Sequence, residues 1–439
     1  MKCKIVIYNI FLLLLCGQLM LSSKVKAANI IVNKTNFPDE YLCEFVSQKI
    51  DKNKDGILTK KELQNVKKVK INKGKEILDI KGISLLQNVS SLEIEALELK
   101  NKTEWNEMAK LRKLKITLYA SKELEMEDGI SNIQELQINI PKLEKIRIRN
   151  MWELKNLLFL GKDNLCEINI FNAPKLAKLN VSNMLKLEKL IIRNNDNKGI
   201  KKVNLNSVPE LKELVLCPYK GDKINLSKLS KLCVLNIDNK KIKSINLKKF
   251  PDLKKLKLTS PYIRNVNLKK VPKMEVLSLD GTSLKKINLS KIPTLKNLSI
   301  TNCKAITQLN LKKNRELKCL KWEHGALKKI KWGKKEKLEK IFVKDNNLSG
   351  TLKLDKFSKL DKLNIKNNNF RRLITVRNLS LYYVNCECNN LKLVDLFTCN
   401  VNYFKGRKNP DMKLYLDYKD HDNQFFDKSV IVRYREPLL

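Results

Sequence analysis

Pro251-Asp252-Leu253-Lys254-Lys255-Leu256-Lys257-Leu258, Pro272-Lys273-Met274-Glu275-Val276-Leu277-Ser278-Leu279 and Pro293-Thr294-Leu295-Lys296-Asn297-Leu298-Ser299-Ile300 are one phrase written three times, 21 residues apart. Leu253, Met274 and Leu295 coincide, and so do Leu256, Leu277 and Leu298. A second phrase follows in each unit, in which Ile263 matches Leu284, Val266 matches Ile287 and Leu268 matches Leu289. The last two apolar residues of a phrase stand at i and i+2, which puts both on one face of a short strand. No phrase is long enough for an ordinary helix, and Asn, Ser, Lys and Pro turn the chain between phrases. A single unit cannot bury its leucines. Stacked units bury each leucine against its equivalents above and below. The fold expected is a leucine-rich-repeat solenoid of short parallel strands, in coils of about 21 residues.

The register extends back through Pro209 and Ser230 and forward, with shifts of one residue, through Leu317, Leu338, Leu360 and Leu381. Earlier, Leu143, Leu154, Leu165, Leu176 and Leu187 open phrases at half the period. The solenoid is expected over 67–399, irregular to about residue 140. The aromatic-rich segment 400–439, with Tyr403, Phe404, Tyr415 and Tyr418, is expected to close its last core layer.

Met1 to Ala27 reads as a secretory signal: Lys2 and Lys4, the apolar run Ile5 to Leu15, and Val25-Lys26-Ala27. The run is shorter than the roughly 20 residues that span a bilayer, so the mature chain is expected to be secreted without a transmembrane segment. Leu15 before Cys16-Gly17 is too bulky for a lipoprotein site. The cysteines have no repeated spacing and read as small hydrophobes.

The segment 28–66 carries a different signal. Asp51-Lys52-Asn53-Lys54-Asp55-Gly56-Ile57-Leu58-Thr59-Lys60-Lys61-Glu62 fits a twelve-residue EF-hand loop. Asp51, Asn53 and Asp55 offer side-chain oxygens, Ile57 its carbonyl, Thr59 a hydroxyl or water, and Glu62 a bidentate carboxylate. Calcium is the expected cofactor, as a structural clip in a small helical cap. Tyr41, Phe45, Val46 and Ile50 give the preceding segment helical spacing. One loop stands alone where such loops ordinarily pair.

The net charge of +43 arises from 89 Lys and Arg against 46 Asp and Glu. It predicts salt-sensitive attraction to polyanions. In the second phrases Lys243, Arg264, Lys285 and Lys328 share one position, and Lys249, Lys270, Lys291 and Lys313 another. Stacked about 4.8 Å apart, they would form stripes able to hold an anionic polymer. Asn225, Asn246, Asn267, Asn288 and Asn310 suggest a hydrogen-bonded ladder between coils. The first phrases present a mixed outward column, Val215, Asn236, Lys257, Ser278, Ser299 and Lys321, suited to a protein or glycan. Trp322 and Trp332 fall at core positions, and His324 has no evident catalytic partner. No nucleophile, phosphate-loop or metalloprotease motif occurs, so a catalytic role is not expected. The export signal and the lack of a recognised module argue against nucleic acid as the partner.

Asn36-Phe37-Pro38-Asp39, the loop Asp51 to Glu62 and Lys81-Gly82-Ile83, followed by Leu-x-x-Leu-x-Leu phrases, make the chain resemble the secreted leucine-rich-repeat proteins of Gram-positive bacteria of the clostridial type. The resemblance implies a solenoid, an extracellular or surface location and a role in recognition or adhesion. The sequence ends at Arg435-Glu436-Pro437-Leu438-Leu439 without a Leu-Pro-x-Thr-Gly signal, so the expectations are free secretion or adsorption to wall polyanions of the teichoic-acid type.

Overall fold

The computed structural model describes residues 29–127, 132–355, 357–375, 378–397, 399–417, 424–425, 427 and 430–435. The expected signal peptide lies outside them. Two compact units divide the chain, one ending at Tyr119 and the other starting at Ala120.

The first unit opens with two helices and continues as stacked strands. Helix α1, Glu40–Lys49, starts where the Asp39 side chain accepts the Leu42 N–H, and Glu40 suits the positive end of the helix dipole. Its buried face is Leu42, Val46 and the adjoining Ile50, whereas Tyr41 and Phe45 are half-buried. The period was legible and its phase was not, because Leu42 lies next to two larger aromatics. Helix α2, Lys60–Asn65, is closed by a capping box between Thr59 and Glu62.

Strands Lys68–Asn72, Ser91–Ala96 and Lys113–Leu118 then pair in parallel, Lys68 opposite Ser91 and Ser91 opposite Lys113. A second pair, Ile77–Asp79 with Glu98–Lys100, completes the coils. The stretch expected to be irregular is thus regular in pairing. Its turns are 3-10, Ile83–Leu85 and Lys102–Glu107, and the second buries Trp105. Those turns displace the leucines from their usual spacing.

Two motifs that lie far apart in sequence meet in this unit. The Asp39 carboxylate accepts the Asp79 N–H at 2.9 Å and pairs with Lys73 at 2.9 Å. Burial pushes its pKa up, but these bonds outweigh burial and hold it below the ordinary aspartate value. Gly82 has φ +88°, and a Cβ there would stand 1.8 Å from the Asn36 carbonyl oxygen. Glycine is required twice over, by backbone conformation and by approach.

In the second unit fifteen parallel strands form one sheet, from Glu123–Met126 to Gln424–Phe425. Leu256 stands opposite Leu277, and Leu277 opposite Leu298; all three are buried. The 11-residue spacing is two strands per coil. Lys145–Arg149 and Glu167–Phe171 pair in the main sheet, while Asn156–Leu160 lies between them in sequence and pairs elsewhere, with Glu135–Asn139. Pro251 follows Phe250 inside a turn closed by the Leu253 N–H on the Phe250 carbonyl, a position where proline's missing donor costs nothing. Pairing continues past residue 400, where the leucine pattern ends: Tyr403–Lys405 extends the main sheet, and Lys413–Asp417 with Ile431–Arg435 extends the other face. Val401, Phe404, Met412, Leu414 and Leu416 carry the core on in and beside these strands.

The second phrases are strands in only some coils. Gln308–Asn310 pairs with Lys329–Lys331, whereas 243–246, 264–267 and 285–288 are extended and make no backbone hydrogen bonds. The expected asparagine ladder is absent from them. Asn225, Asn246, Asn267, Asn288 and Asn310 each accept the N–H two residues ahead, at 3.0 to 3.1 Å. These are local turns within one coil, for which a short side chain beside its own backbone is the nearest acceptor.

A ladder exists elsewhere, built on Asn346, Asn368, Asn389 and Asn409. Asn368 Nδ2 donates to the Val343 and Ile365 carbonyls at 2.8 and 3.0 Å, and its Oδ1 accepts the Leu348 N–H at 3.1 Å. The other three repeat the pattern. The inward asparagine three residues past the last apolar one, as in Leu363-Asn364-Ile365-Lys366-Asn367-Asn368, was the available signal.

Lys335 occupies the core column of Phe250, Val271, Ile292 and Asn314 and is 0 % exposed. Its ammonium donates to the Leu311 and Lys334 carbonyls, both at 2.9 Å, with no carboxylate beside it. Burial, helped by the charge of Arg315, lowers its pKa to about 8.

Candidate functional site

Five of the six expected metal ligands fall on the loop between α1 and α2, and the sixth, Glu62, in the first turn of α2. Asp51 is 1 % exposed; its Oδ1 accepts the Lys54 N–H and its Oδ2 the Gly56 N–H. Asn53 donates to Asp55 at 2.8 Å, and Asp55 accepts the Ile57 N–H. Gly56 has φ +79° at the tight turn. Glu62 accepts from the Lys52 and Thr59 N–H groups and the Thr59 hydroxyl. Those bonds, led by the Thr59 hydroxyl, hold its pKa down at about 2. Ile57–Leu58 pairs antiparallel with Ile30–Ile31. The lone loop therefore has a strand partner, supplied by the chain just before α1, which the sequence did not announce.

The donor set is hard oxygen throughout, three carboxylates and an amide, which fits calcium chemistry. Among the described residues no compact group of three His, Cys, Asp or Glu stands ready for a metal, and the loop's carboxylates accept hydrogen bonds from the loop's own N–H groups. Binding would exchange some of these bonds for the ion.

All eight predicted cations are exposed. Lys243, Arg264, Lys285 and Lys328 directly follow the buried Ile242, Ile263, Leu284 and Leu327; Lys249, Lys270, Lys291 and Lys313 directly precede the buried Phe250, Val271, Ile292 and Asn314. Each set holds one structural position, although Thr307 interrupts the first between Lys285 and Lys328. No side chain of the eight has an ion-pair or hydrogen-bond partner among the described residues.

The first halves of the coils behave differently. Lys212 pairs with Glu188, Lys231 with Glu210, Lys273 with Asp252, Lys296 with Glu275 and Lys337 with Glu316, each a coil apart and within 3.1 Å. Residues 240–250, 260–271, 281–292, 302–314 and 325–335 contain no Asp or Glu. Carboxylates are thus placed in the first halves, where they pair many though not all of the lysines (Lys254 and Lys255 have no ion pair), and the second halves carry cations alone. Two unit charges about 5 Å apart in water repel by about 0.8 kcal/mol. The coil spacing lies well inside the Debye length of about 8 Å at physiological salt, so the stripes add.

The outward column of the main sheet runs in register from Asn236 through Lys257, Ser278, Ser299 and Lys321 to Phe342 and Asn364. Val215 stands in it beside Ile191 but is only 1 % exposed, so it offers no contact to a partner. At the far end Phe342, Tyr382, Tyr383 and Tyr403 cluster with Lys362 and Lys405. Tyr382 is 41 % exposed and meets Tyr403 edge-on, ring centroids 5.3 Å apart.

Trp322 is buried in the core as expected, whereas Trp332 is half-buried against Phe357 at 5.3 Å. His324 does have a carboxylate neighbour, Asp345 at 3.0 Å one coil on, which sequence spacing hid because repeat stacking creates it. The nine cysteines in the described residues are unbridged. No helix among the described residues is long and apolar enough to cross a membrane.

No family model matches this chain, and no curated protein matches it either. Solved leucine-rich-repeat structures are similar in fold. The functional domain of InlJ from Listeria monocytogenes is 15 % identical over 84 % of this chain and 82 % of that one, with a TM-score of 0.41. The LRR protein LIC12759 of Leptospira interrogans is 16 % identical over 85 % and 92 %, at 0.43. The internalin InlF of Listeria monocytogenes is 17 % identical over 83 % and 94 %, at 0.31. Likeness at this level carries no argument about ligands, which rest on this chain's own residues.

Proposed function

We propose that this chain is an extracellular binding protein of the leucine-rich-repeat type whose second-half face holds an anionic polymer by charge. The observation that carries the reading is the sorting of charge: eight exposed cations whose side chains have no partner among the described residues, on coil halves that contain no carboxylate. Relief of their mutual repulsion, with release of bound counterions, favours a polyanion over a neutral ligand. The signal-like N-terminus supports binding outside the cell, and a teichoic-acid-type wall polymer is the polyanion that fits this reading. The loop from Asp51 to Glu62 takes a structural calcium, which extracellular concentrations fill even at a weak site.

The test is sedimentation of the protein with purified cell walls, before and after chemical removal of their anionic polymer. Binding lost with the polymer supports the reading; binding unchanged refutes it. The cluster of Tyr382, Tyr383, Tyr403 and Phe342 favours a second reading, in which the main-sheet face recognises a protein or glycan partner through aromatic contacts.

A further inference from the structure

An open groove of 870 Å³ lies on the second-half face, between the coil segments 222–227 and 241–250. This is within the range of small-ligand sites, roughly 300–1,000 Å³. Buried Leu226, Ile242 and Phe250 form its floor. Lys223, Lys241, Lys243 and Lys249 line it with a single carboxylate, Asp222, which is held by Lys241 at 2.9 Å. Tyr262 is also on its wall and 53 % exposed.

The groove's charge is one-sided and its backbone is unpaired. Residues 243–246 make no backbone hydrogen bond, in contrast to the paired second halves at 308–310 and 329–331, so both their N–H and their C=O groups remain open. The Oδ1 atoms of Asn225 and Asn246 are engaged by Ser227 and Lys248, which leaves the amide Nδ2 groups as the available ends. Cations outnumber carboxylates by four to one, while backbone donors and acceptors are both on offer. A ligand that fits must be negatively charged, rich in hydroxyl and other oxygens that donate and accept, and possess one apolar face for Tyr262. A sugar ring bearing a phosphate, sulfate or carboxylate has all three: its axial C–H face packs on an aromatic ring, and its oxygens accept from N–H and ammonium groups.

We propose that this groove is a discrete subsite for one anionic sugar unit, with Tyr262 against the ring and Lys243 and Lys249 on the anion. The proposal rests on the polyanion reading of the same face and adds to it a preference for sugar over bare charge. It predicts selectivity that stripes of charge alone do not possess.

The experiment is titration of the full chain, by calorimetry at about 0.5 M salt where long-range attraction is screened, with short oligosaccharides: neutral, uronic, sulfated and sugar-phosphate. At least one anionic series binds and the neutral one does not, and the series that binds identifies the anion. Tyr262→Ala weakens that binding by about three- to tenfold, and Lys243→Gln with Lys249→Gln abolishes it. Arg264→Gln with Lys285→Gln, outside the groove, leaves it unchanged while weakening retention on long polymer. Equal binding of the neutral series, equal binding of single-stranded RNA, an unaffected Tyr262→Ala variant, or no oligosaccharide binding beside intact polymer retention would each overturn the subsite. The last outcome leaves the charged face standing, whereas oligosaccharide binding with no wall retention removes the face and leaves the subsite.

Discussion

The ammonium of Lys296 lies 3.1 Å from the carboxylate of Glu275, one coil back. Lys285, only eleven residues earlier, has no such partner among the described residues. The two lysines differ in which half of the coil they occupy. Their removal should therefore have opposite signs. Lys296→Gln is expected to lower stability by less than about 1 kcal/mol, as exposed pairs do. Lys285→Gln is expected to raise it by a few tenths, through lost repulsion. Urea midpoints at low salt measure both, and added salt should shrink both differences.

Asn368 and Asn246 look alike in the sequence and do different work. Removing the Asn368 amide leaves the Val343 and Ile365 carbonyls and the Leu348 N–H short of a buried partner. Asn368→Ala should cost about 2–4 kcal/mol, the sum of a lost bond and unsatisfied groups. Asn246→Ala removes one exposed turn bond and should cost under about 1 kcal/mol. Denaturant unfolding of the two variants separates them. Equal costs would mean that the ladder contributes nothing beyond a local turn.

Lys335 predicts a pH dependence. Its folded pKa, about 8, lies below its ordinary value of 10.5, so folding disfavours its protonated form. Stability therefore rises as pH climbs from about 8 towards 10.5, and below about 8 the full penalty applies. Lys335→Asn keeps a donor for the Leu311 carbonyl, as Asn314 has for Leu289 one coil earlier, and removes the charge. It should raise the melting temperature by a few degrees near pH 7, with the gain fading above pH 8. A gain independent of pH would show that the ammonium is not what the core resists.

Much of the architecture was legible because the period is carried by buried leucines, whose burial leaves little freedom of register. Leu256, Leu277 and Leu298 had to meet once the coils stacked. What escaped was polar and short-range. The inward Asn346, Asn368, Asn389 and Asn409 share a residue type with the exposed Asn225 and Asn246, and composition alone does not say which face an asparagine takes. The strand Ile30–Ile31 is only two residues long, and its pairing with Ile57–Leu58 depends on the chain folding back across α1. The eight cations were legible as columns, but their lack of partners depends on where the carboxylates were placed. The groove beside Tyr262 runs along 243–246, whose failure to pair no pattern of apolar residues records.

The calcium proposal has its own test. Melting followed with calcium and with chelator should differ for the natural chain by several degrees, since a ligand at about a hundred times its dissociation constant adds about 2.7 kcal/mol. Asp51→Ala combined with Glu62→Gln should erase the difference. Because Glu62 also closes the capping box of α2, the variant should melt somewhat lower even without calcium. Identical melting of the natural chain under both conditions would rule the site out.

The most direct measurement of the charged face is the salt dependence of binding to a purified anionic wall polymer. The slope of log K against log salt counts the cations engaged. It should be steep for the natural chain, shallower by roughly one for each of Arg264→Gln, Lys285→Gln and Lys291→Gln, and little changed by Lys231→Gln, Lys273→Gln and Lys296→Gln. A flat slope, or equal loss from the paired and unpaired sets, would contradict the account.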